Sequence, residues 1–185
     1  MNPDKCRQCH HCCHQCHHHD QHPVPTGYYW RDYTGEIPAD AFPGGHDLSN
    51  KPIYIGQAYL SGVGLIPTNL YPGQAGLNLP CDWKVTYSDV GMKILCTPNP
   101  NSLSWENATS SDLHVTAAGK QLVIGGYQSR GARMLLNVGR VPHQGELLVG
   151  KVVGSEPGQA VMYYVGSNKE NAINSYQVLV QKSDK

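Results

Sequence analysis

The feature that most constrains this chain is that it contains itself twice. The tetrapeptide Pro-Gly-Gln-Ala occurs at Pro72–Ala75 and again at Pro157–Ala160. The flanking sequence repeats with it. Gly44-Gly45 answers Gly125-Gly126, Gly56-Gln57-Ala58 answers Gly139-Arg140-Val141, and the run from Leu65 to Leu70 answers the run from Leu147 to Val152. Trp30 precedes the first glycine pair and Trp105 the second. The offset drifts between about 75 and 85 residues, so the copies differ by short insertions. A tandem duplication of this size predicts two equivalent units, each covering the other's apolar face about a pseudo-twofold axis.

Between the landmarks the sequence reads as strands. KPIYIGQAYL, WKVTY, MKILC, KQLVIGG, RMLLNVGRV, GELLVGKVV, QAVMYYV and SYQVLVQ are short, rich in Val, Ile, Leu and Tyr, and separated by Gly, Pro, Asn and Ser. No segment sustains the i, i+3, i+4, i+7 pattern of an amphipathic helix. The expected fold is all-β: two repeats, 28–103 and 104–182, forming one pseudo-twofold, β-sandwich-like body.

The first 22 residues are different. Five of the seven cysteines and seven of the ten histidines fall in CRQCHHCCHQCHHHDQH, in a stretch with no Val, Ile, Leu, Phe, Tyr or Trp. Such a segment has no apolar surface to bury, so residues 1–22 read as a disordered, flexible tail and 23–27 as a stiff Pro-containing linker. Thiolates and imidazoles are the ligands of Zn²⁺ and Cu⁺. Cys6, Cys9, Cys12, Cys13 and Cys16, with His10, His11, His14, His17, His18 and His19, are the candidate metal ligands. The cysteine spacing imitates an iron–sulfur motif, but His17 stands where that motif has proline and no apolar wrapping is present. Exchangeable soft-metal binding fits better, with reversible acylation of Cys12-Cys13 as a rival.

Charge and hydropathy exclude several classes. Lys plus Arg equals Asp plus Glu, 14 against 14, and no basic stripe marks a nucleic-acid surface. No apolar run approaches a membrane span, and no apolar segment follows the first residues as in a secretory leader. The expected location is cytoplasmic, with non-classical secretion or peripheral membrane association as alternatives. No Walker loop, dinucleotide fingerprint, HExxH or GxSxG occurs. His46, His114 and His143 lack partners in sequence, so the expectation is a protein that is not an enzyme. Cys81 and Cys96 read as reduced core residues.

The ordered set Trp30, Gly35-Glu36-Ile37-Pro38, Ala41, Gly44-Gly45-His46-Asp47, Ile53-Tyr54-Ile55-Gly56, Gly62 and Leu65-Ile66-Pro67 resembles the DM-nine repeat. The second copy carries Trp105, Gly125-Gly126-Tyr127, Val138-Gly139-Arg140-Val141, Gly145, Gly150-Lys151-Val152 and the closing Ser175-Tyr176-Gln177-Val178-Leu179. The resemblance spans residues 28–182. It implies a β-rich protein related to a dimerising mannose-binding lectin, and to proteins linked to immune recognition. It also implies a sugar site built from an Asp after the glycine-rich turn and a Lys in the turn that follows. Asp47 matches that Asp, and Asn69 stands in place of the Lys. In the second copy Lys151 is kept and Gln128 takes the Asp position. The carbohydrate-binding candidates are therefore Asp47 with Asn69 and Gln128 with Lys151, with mannose-type glycans as partners and a homodimer as the assembly.

Chemically such pairs suit vicinal hydroxyls, because Asp accepts, Lys donates, and Asn or Gln does either. Tyr54, Tyr59 and Tyr127 are candidates for an apolar platform. Against these stand plainer readings: Asp47 as a turn cap and Lys151 as a solvated strand-end charge. Two other functions remain open, an interaction protein that keeps the fold without the sugar site and a metal-binding protein whose function lies in the tail.

Overall fold

The computed structural model describes residues 27–130, 132–154 and 156–182. The first half contributes β1 (Tyr29–Asp32), β2 (Pro43–His46), β3 (Pro52–Leu60), β4 (Gly64–Leu70), the hairpin β5 (Leu77–Cys81) and β6 (Lys84–Ser88), and β7 (Lys93–Cys96). The second contributes β8 (Leu103–Thr109), one helical turn α1 (Leu113–Thr116), β9 (Gln121–Leu122), β10 (Ile124–Arg130), β11 (Ala132–His143), β12 (Glu146–Val153), the hairpin β13 (Val161–Gly166) and β14 (Lys169–Ile173), and β15 (Ser175–Gln181). The fold is all-β and sandwich-like, and every paired strand is antiparallel. The boundary drawn between residues 103 and 104 falls at the first residue of β8. No helix among the described residues is long and apolar enough to cross a membrane.

The two halves pair their strands in the same order. β1–β7, β7–β3, β3–β2, β3–β4 and β5–β6 in the first half correspond to β8–β15, β15–β11, β11–β10, β11–β12 and β13–β14 in the second. The registers correspond too. Trp30 faces Leu95 as Trp105 faces Leu179, and Gly56 faces Ile94 as Gly139 faces Val178.

The halves are joined by reciprocal strand pairing. β10 pairs with β4 through Tyr127 and Leu65, and β2 pairs with β12 through His46 and Leu147. The glycine pairs sit at these joints. A Cβ at Gly45 would fall on the carbonyl oxygen of Leu147, and one at Gly126 on that of Leu65. Only a residue without a side chain allows the backbones to approach so closely. The recurrence of this dipeptide within the chain is thus a packing requirement of the joint.

The core follows the same reciprocity. One cluster is built mainly from the second half, including Val152, Met162 and Val178, and admits Ile53 from the first. The other is built from the first half, including Ile66, Leu77 and Ile94, and admits Leu136 from the second. A third cluster between them is shared by Ile55, Leu95, Val138, Val149 and Leu179. Each half therefore completes its own core only in the presence of the other.

Candidate functional site

Lys151 lies on β12 with its side chain 4% exposed. An ammonium taken out of water requires partners. Its Nζ donates to the carbonyl of Pro80 at 2.8 Å and to Gln128 Oε1 at 3.3 Å, lies 3.7 Å from the Glu170 carboxylate, and is 5.4 Å from the centre of the Tyr163 ring. Four strands supply these groups: β5 for Pro80, β10 for Gln128, β13 for Tyr163 and β14 for Glu170. Glu170 is as deeply buried as Lys151, and its Oε2 has no hydrogen-bond partner. A buried oxygen of that kind is the feature most in need of an explanation.

Lys151, Gln128, Tyr163 and Glu170 line a cavity of about 160 Å³ whose rim is the β5–β6 turn. The turn is two residues long. Asp82 and Trp83 both adopt positive φ, near 60°, as a tight hairpin twisted with its strands requires. It projects Trp83 into solvent, 74% exposed, with its ring edge-on to Tyr163 at 6.0 Å. The cavity therefore combines a cation, the carboxylates of Glu170 and Asp82, an amide and an open indole.

Asn69 occupies the corresponding place in the first half. Its Nδ2 donates to the carbonyl of Val165 at 3.2 Å and its Oδ1 accepts from the Val149 amide at 2.6 Å. Pro80 and Val165 are each the last-but-one residue of the first strand of their hairpin, so Lys151 and Asn69 reach equivalent carbonyls in opposite halves. Asn69 lines a cavity of about 220 Å³ with Tyr71, Gln74, Glu146, Ser167 and Asn168. Ser167 and Asn168 form the positive-φ turn equivalent to Asp82-Trp83. Burial, with the charges of Glu146 and then Asp47, pushes the Tyr71 phenol up to about 12.

Of the two pairs read from the sequence, Gln128 and Lys151 meet. Asp47 and Asn69 are used separately. Asp47 Oδ1 accepts from the amides of Ser49 and Lys51, both at 2.8 Å, which makes it the cap of the β2–β3 turn. It does not line the Asn69 cavity, although its charge is felt by Tyr71 there. Lys151 is not a solvated strand-end charge, because its alkyl chain and ammonium are enclosed by the opposite hairpin. None of Tyr54, Tyr59 and Tyr127 lines the Lys151 cavity, and Tyr127 is instead covered by the Arg133 guanidinium at 4.2 Å.

His143, His46 and the two cysteines of the body have structural surroundings. His143 bridges the Tyr164 hydroxyl at 3.1 Å and the Ser167 hydroxyl at 3.0 Å, and His46 contacts the Asp47 carbonyl at 3.2 Å. Cys81 and Cys96 are buried free thiols, and burial followed by the Asp40 charge pushes Cys96 up to about 11. Among the described residues no group of three or more His, Cys, Asp or Glu could hold a metal. The eleven candidate metal ligands between Cys6 and His19 lie outside the described residues.

No protein-family model and no curated protein matches the chain. Among solved structures the fold is similar to the nematode sperm cell motility protein MFP2B, with a TM-score of 0.59 and 13% sequence identity. The match covers 85% of this chain and 47% of that one, so the chain spans about half the length of its structural neighbour. At that identity the likeness is one of fold.

Proposed function

We propose that the chain is a non-enzymatic, mannose-type carbohydrate-binding protein of the DM-nine kind whose principal sugar site is the Lys151 cavity. The observation that carries this reading is the meeting of Gln128 and Lys151 beside an unpartnered Glu170 oxygen, under an exposed indole. Neighbouring sugar hydroxyls both donate and accept, and this set offers an ammonium donor, an acceptor carboxylate and an amide within one small volume. Trp83 supplies the apolar face on which a pyranose C–H face rests. The Asn69 cavity is its counterpart in the other half, with an amide in place of the ammonium.

The test is a glycan array probed with the full-length protein, alongside Trp83→Ala and Glu170→Gln. Retention on mannose-type glycans, lost in Trp83→Ala while the fold is intact, is the expected result. A blank array for the unaltered protein would remove the sugar reading.

A second reading is favoured by the same lysine. Because Lys151 is already engaged by Pro80, Gln128 and Glu170, it also fits a strut in an interaction protein that uses the fold without a sugar. The sperm cell motility role of MFP2B belongs with that reading. A blank array combined with a large loss of stability on substituting Lys151 would select it. Soft-metal binding by the Cys/His tail is a separate proposal, resting on its ligand composition.

A further inference from the structure

The duplication allows one half to be read as a template for the other at a place that neither the sugar site nor the tail involves. In the second half the face of Trp105 is covered by Arg140. Its guanidinium lies 4.3 Å from the ring centre, donates to Gln177 Oε1 at 2.7 Å and reaches the Gly44 carbonyl at 3.3 Å. In the first half the equivalent of Trp105 is Trp30, and the equivalent of Arg140 is Gln57. Gln57 faces Lys93 as Arg140 faces Gln177, one residue along from Gly56 and Gly139 respectively.

Glutamine is too short to reproduce the arginine. What remains is a cavity of about 310 Å³ lined by Tyr28, Trp30, Gln57, Ile124, Tyr127 and Arg133. Gln57 is 2% exposed, and its Oε1 has no hydrogen-bond partner. The wall is fixed: Trp30 Nε1 donates to the Ile124 carbonyl at 3.2 Å, and the Ile124 amide donates to the Tyr28 hydroxyl at 2.9 Å. This is a built notch with an aromatic wall and one unsatisfied acceptor, where the other half of the molecule holds a guanidinium.

We infer that this notch binds an arginine side chain presented by a peptide of a partner protein. The guanidinium stacks on Trp30, as Arg140 stacks on Trp105, and donates to Gln57 Oε1; Lys93, which stands where the second half has Gln177, is paired with Asp32. Arg133, held over Tyr127 at the rim, repels a bare cation and favours an arginine with a carboxylate next to it. The ligand class is therefore an Arg followed by an acidic residue. This site is independent of the Lys151 cavity and of any glycan.

The experiment follows the Trp30 Nε1–H signal of full-length protein by NMR during titration with N-acetyl-Arg-Glu-amide. Its Lys-Glu, norleucine-Glu and Arg-Gln counterparts serve as comparisons. A saturable shift is expected with the Arg-Glu probe, with the norleucine probe about tenfold weaker or worse, the equivalent of one lost cation–aromatic and hydrogen-bonded contact. Gln57→Arg should fill the notch from within, as Arg140 does, and abolish binding. Absence of a saturable shift, equal binding of the norleucine probe, or undiminished binding by a folded Gln57→Arg would each overturn the inference. Equal binding of Arg-Gln would overturn its acidic-neighbour part. Should Gln57→Arg not fold, Gln57→Leu removes the acceptor and leaves the Trp30 stack, so the preference for Arg over norleucine should shrink; an undiminished preference would overturn the inference as well.

Discussion

The Nζ of Lys151 lies 2.8 Å from the carbonyl oxygen of Pro80, a residue of the opposite half of the duplication. Asn69 makes the reciprocal bond to Val165. Two of the four positions that the sequence singles out for sugar binding, Asn69 and Lys151, are thus also the positions where each half holds the other's hairpin. A site at this seam is preorganised by the fold, because the hairpin turn that brings Trp83 cannot move without breaking the Lys151 bond. It follows that stability and recognition are coupled there, and that substitutions must be chosen to separate them.

Lys151→Met is the variant that exposes the structural half of that coupling. It leaves Glu170 buried without its cation and the Pro80 carbonyl without a donor. Removing one member of a buried pair costs about 3–5 kcal/mol, whereas replacing both partners by apolar groups is often neutral. Denaturant unfolding should show that loss for Lys151→Met and recovery of most of it in Lys151→Met with Glu170→Met. Trp83→Ala should stay within about 0.5 kcal/mol of the unaltered protein, as an exposed turn residue does. If Lys151→Met were as stable as the parent, the pair would not be buried as described.

The reciprocal joints predict that neither half folds alone. Residues 28–103 expressed without 104–182 lose Leu136 from their core and the β10 edge partner of β4; the converse fragment loses Ile53 and β2. Each should give an unfolded NMR spectrum, and mixing the two should restore dispersed signals. In the intact chain, Gly45→Ala places a methyl group on the Leu147 carbonyl and should cost about 3 kcal/mol. An independently folded half would show that the shared cluster of Ile55, Val138 and Leu179 is dispensable.

Stability should fall on the alkaline side in a defined order. Cys96 is raised from 9.0 to about 11, by burial first and Asp40 second. A folded-state value above the unfolded one favours the protonated thiol, so its contribution is complete below pH 9 and is lost as pH rises towards 11. Tyr71 and Tyr176, raised from 10.0 to about 12 chiefly by burial, add the same sign of dependence at higher pH. Chemical denaturation under reducing conditions should show a decline beginning near pH 9 that Cys96→Ala delays towards pH 10. Superimposable profiles for the two proteins would show that the thiol does not titrate on unfolding.

Why some of this was legible in the sequence and some not comes down to what each residue must satisfy. Gly44-Gly45 and Gly125-Gly126 announce the repeat because backbone clearance at the joints admits nothing larger. Strand β13 announces itself by its run of Val, Met and Tyr, although the residue-by-residue alternation of its burial is not written in that run. Lys151 next to a glycine and a valine carries no mark of burial, since what encloses it comes from a hairpin about seventy residues away in the other half. For the same reason nothing in the sequence marks Trp83 and Glu170 as site residues: neither neighbours Lys151 in sequence. Asp47 was ambiguous in principle, because capping amides and gripping hydroxyls ask the same thing of a carboxylate, and only the geometry assigns it to the turn.

The N-terminal segment gives the last prediction. Cys6, Cys9, Cys12, Cys13 and Cys16, with six histidines from His10 to His19, offer more soft donors than one four-coordinate ion can use. Titration of the full-length protein with Zn²⁺, or with Cu⁺ under anaerobic conditions, should therefore give a stoichiometry above one. Thiols must lose their protons and imidazoles must be neutral to bind, so affinity should weaken as pH falls below about 6.5. A truncation beginning at Pro23 should lose the binding and keep the thermal melt of the parent, because the removed segment has no Val, Ile, Leu, Phe, Tyr or Trp to contribute to a core. Equal metal binding by the truncated protein, or a stoichiometry of one or less, would move the function of the tail away from metal and towards lipidation of Cys12-Cys13 or no ligand at all.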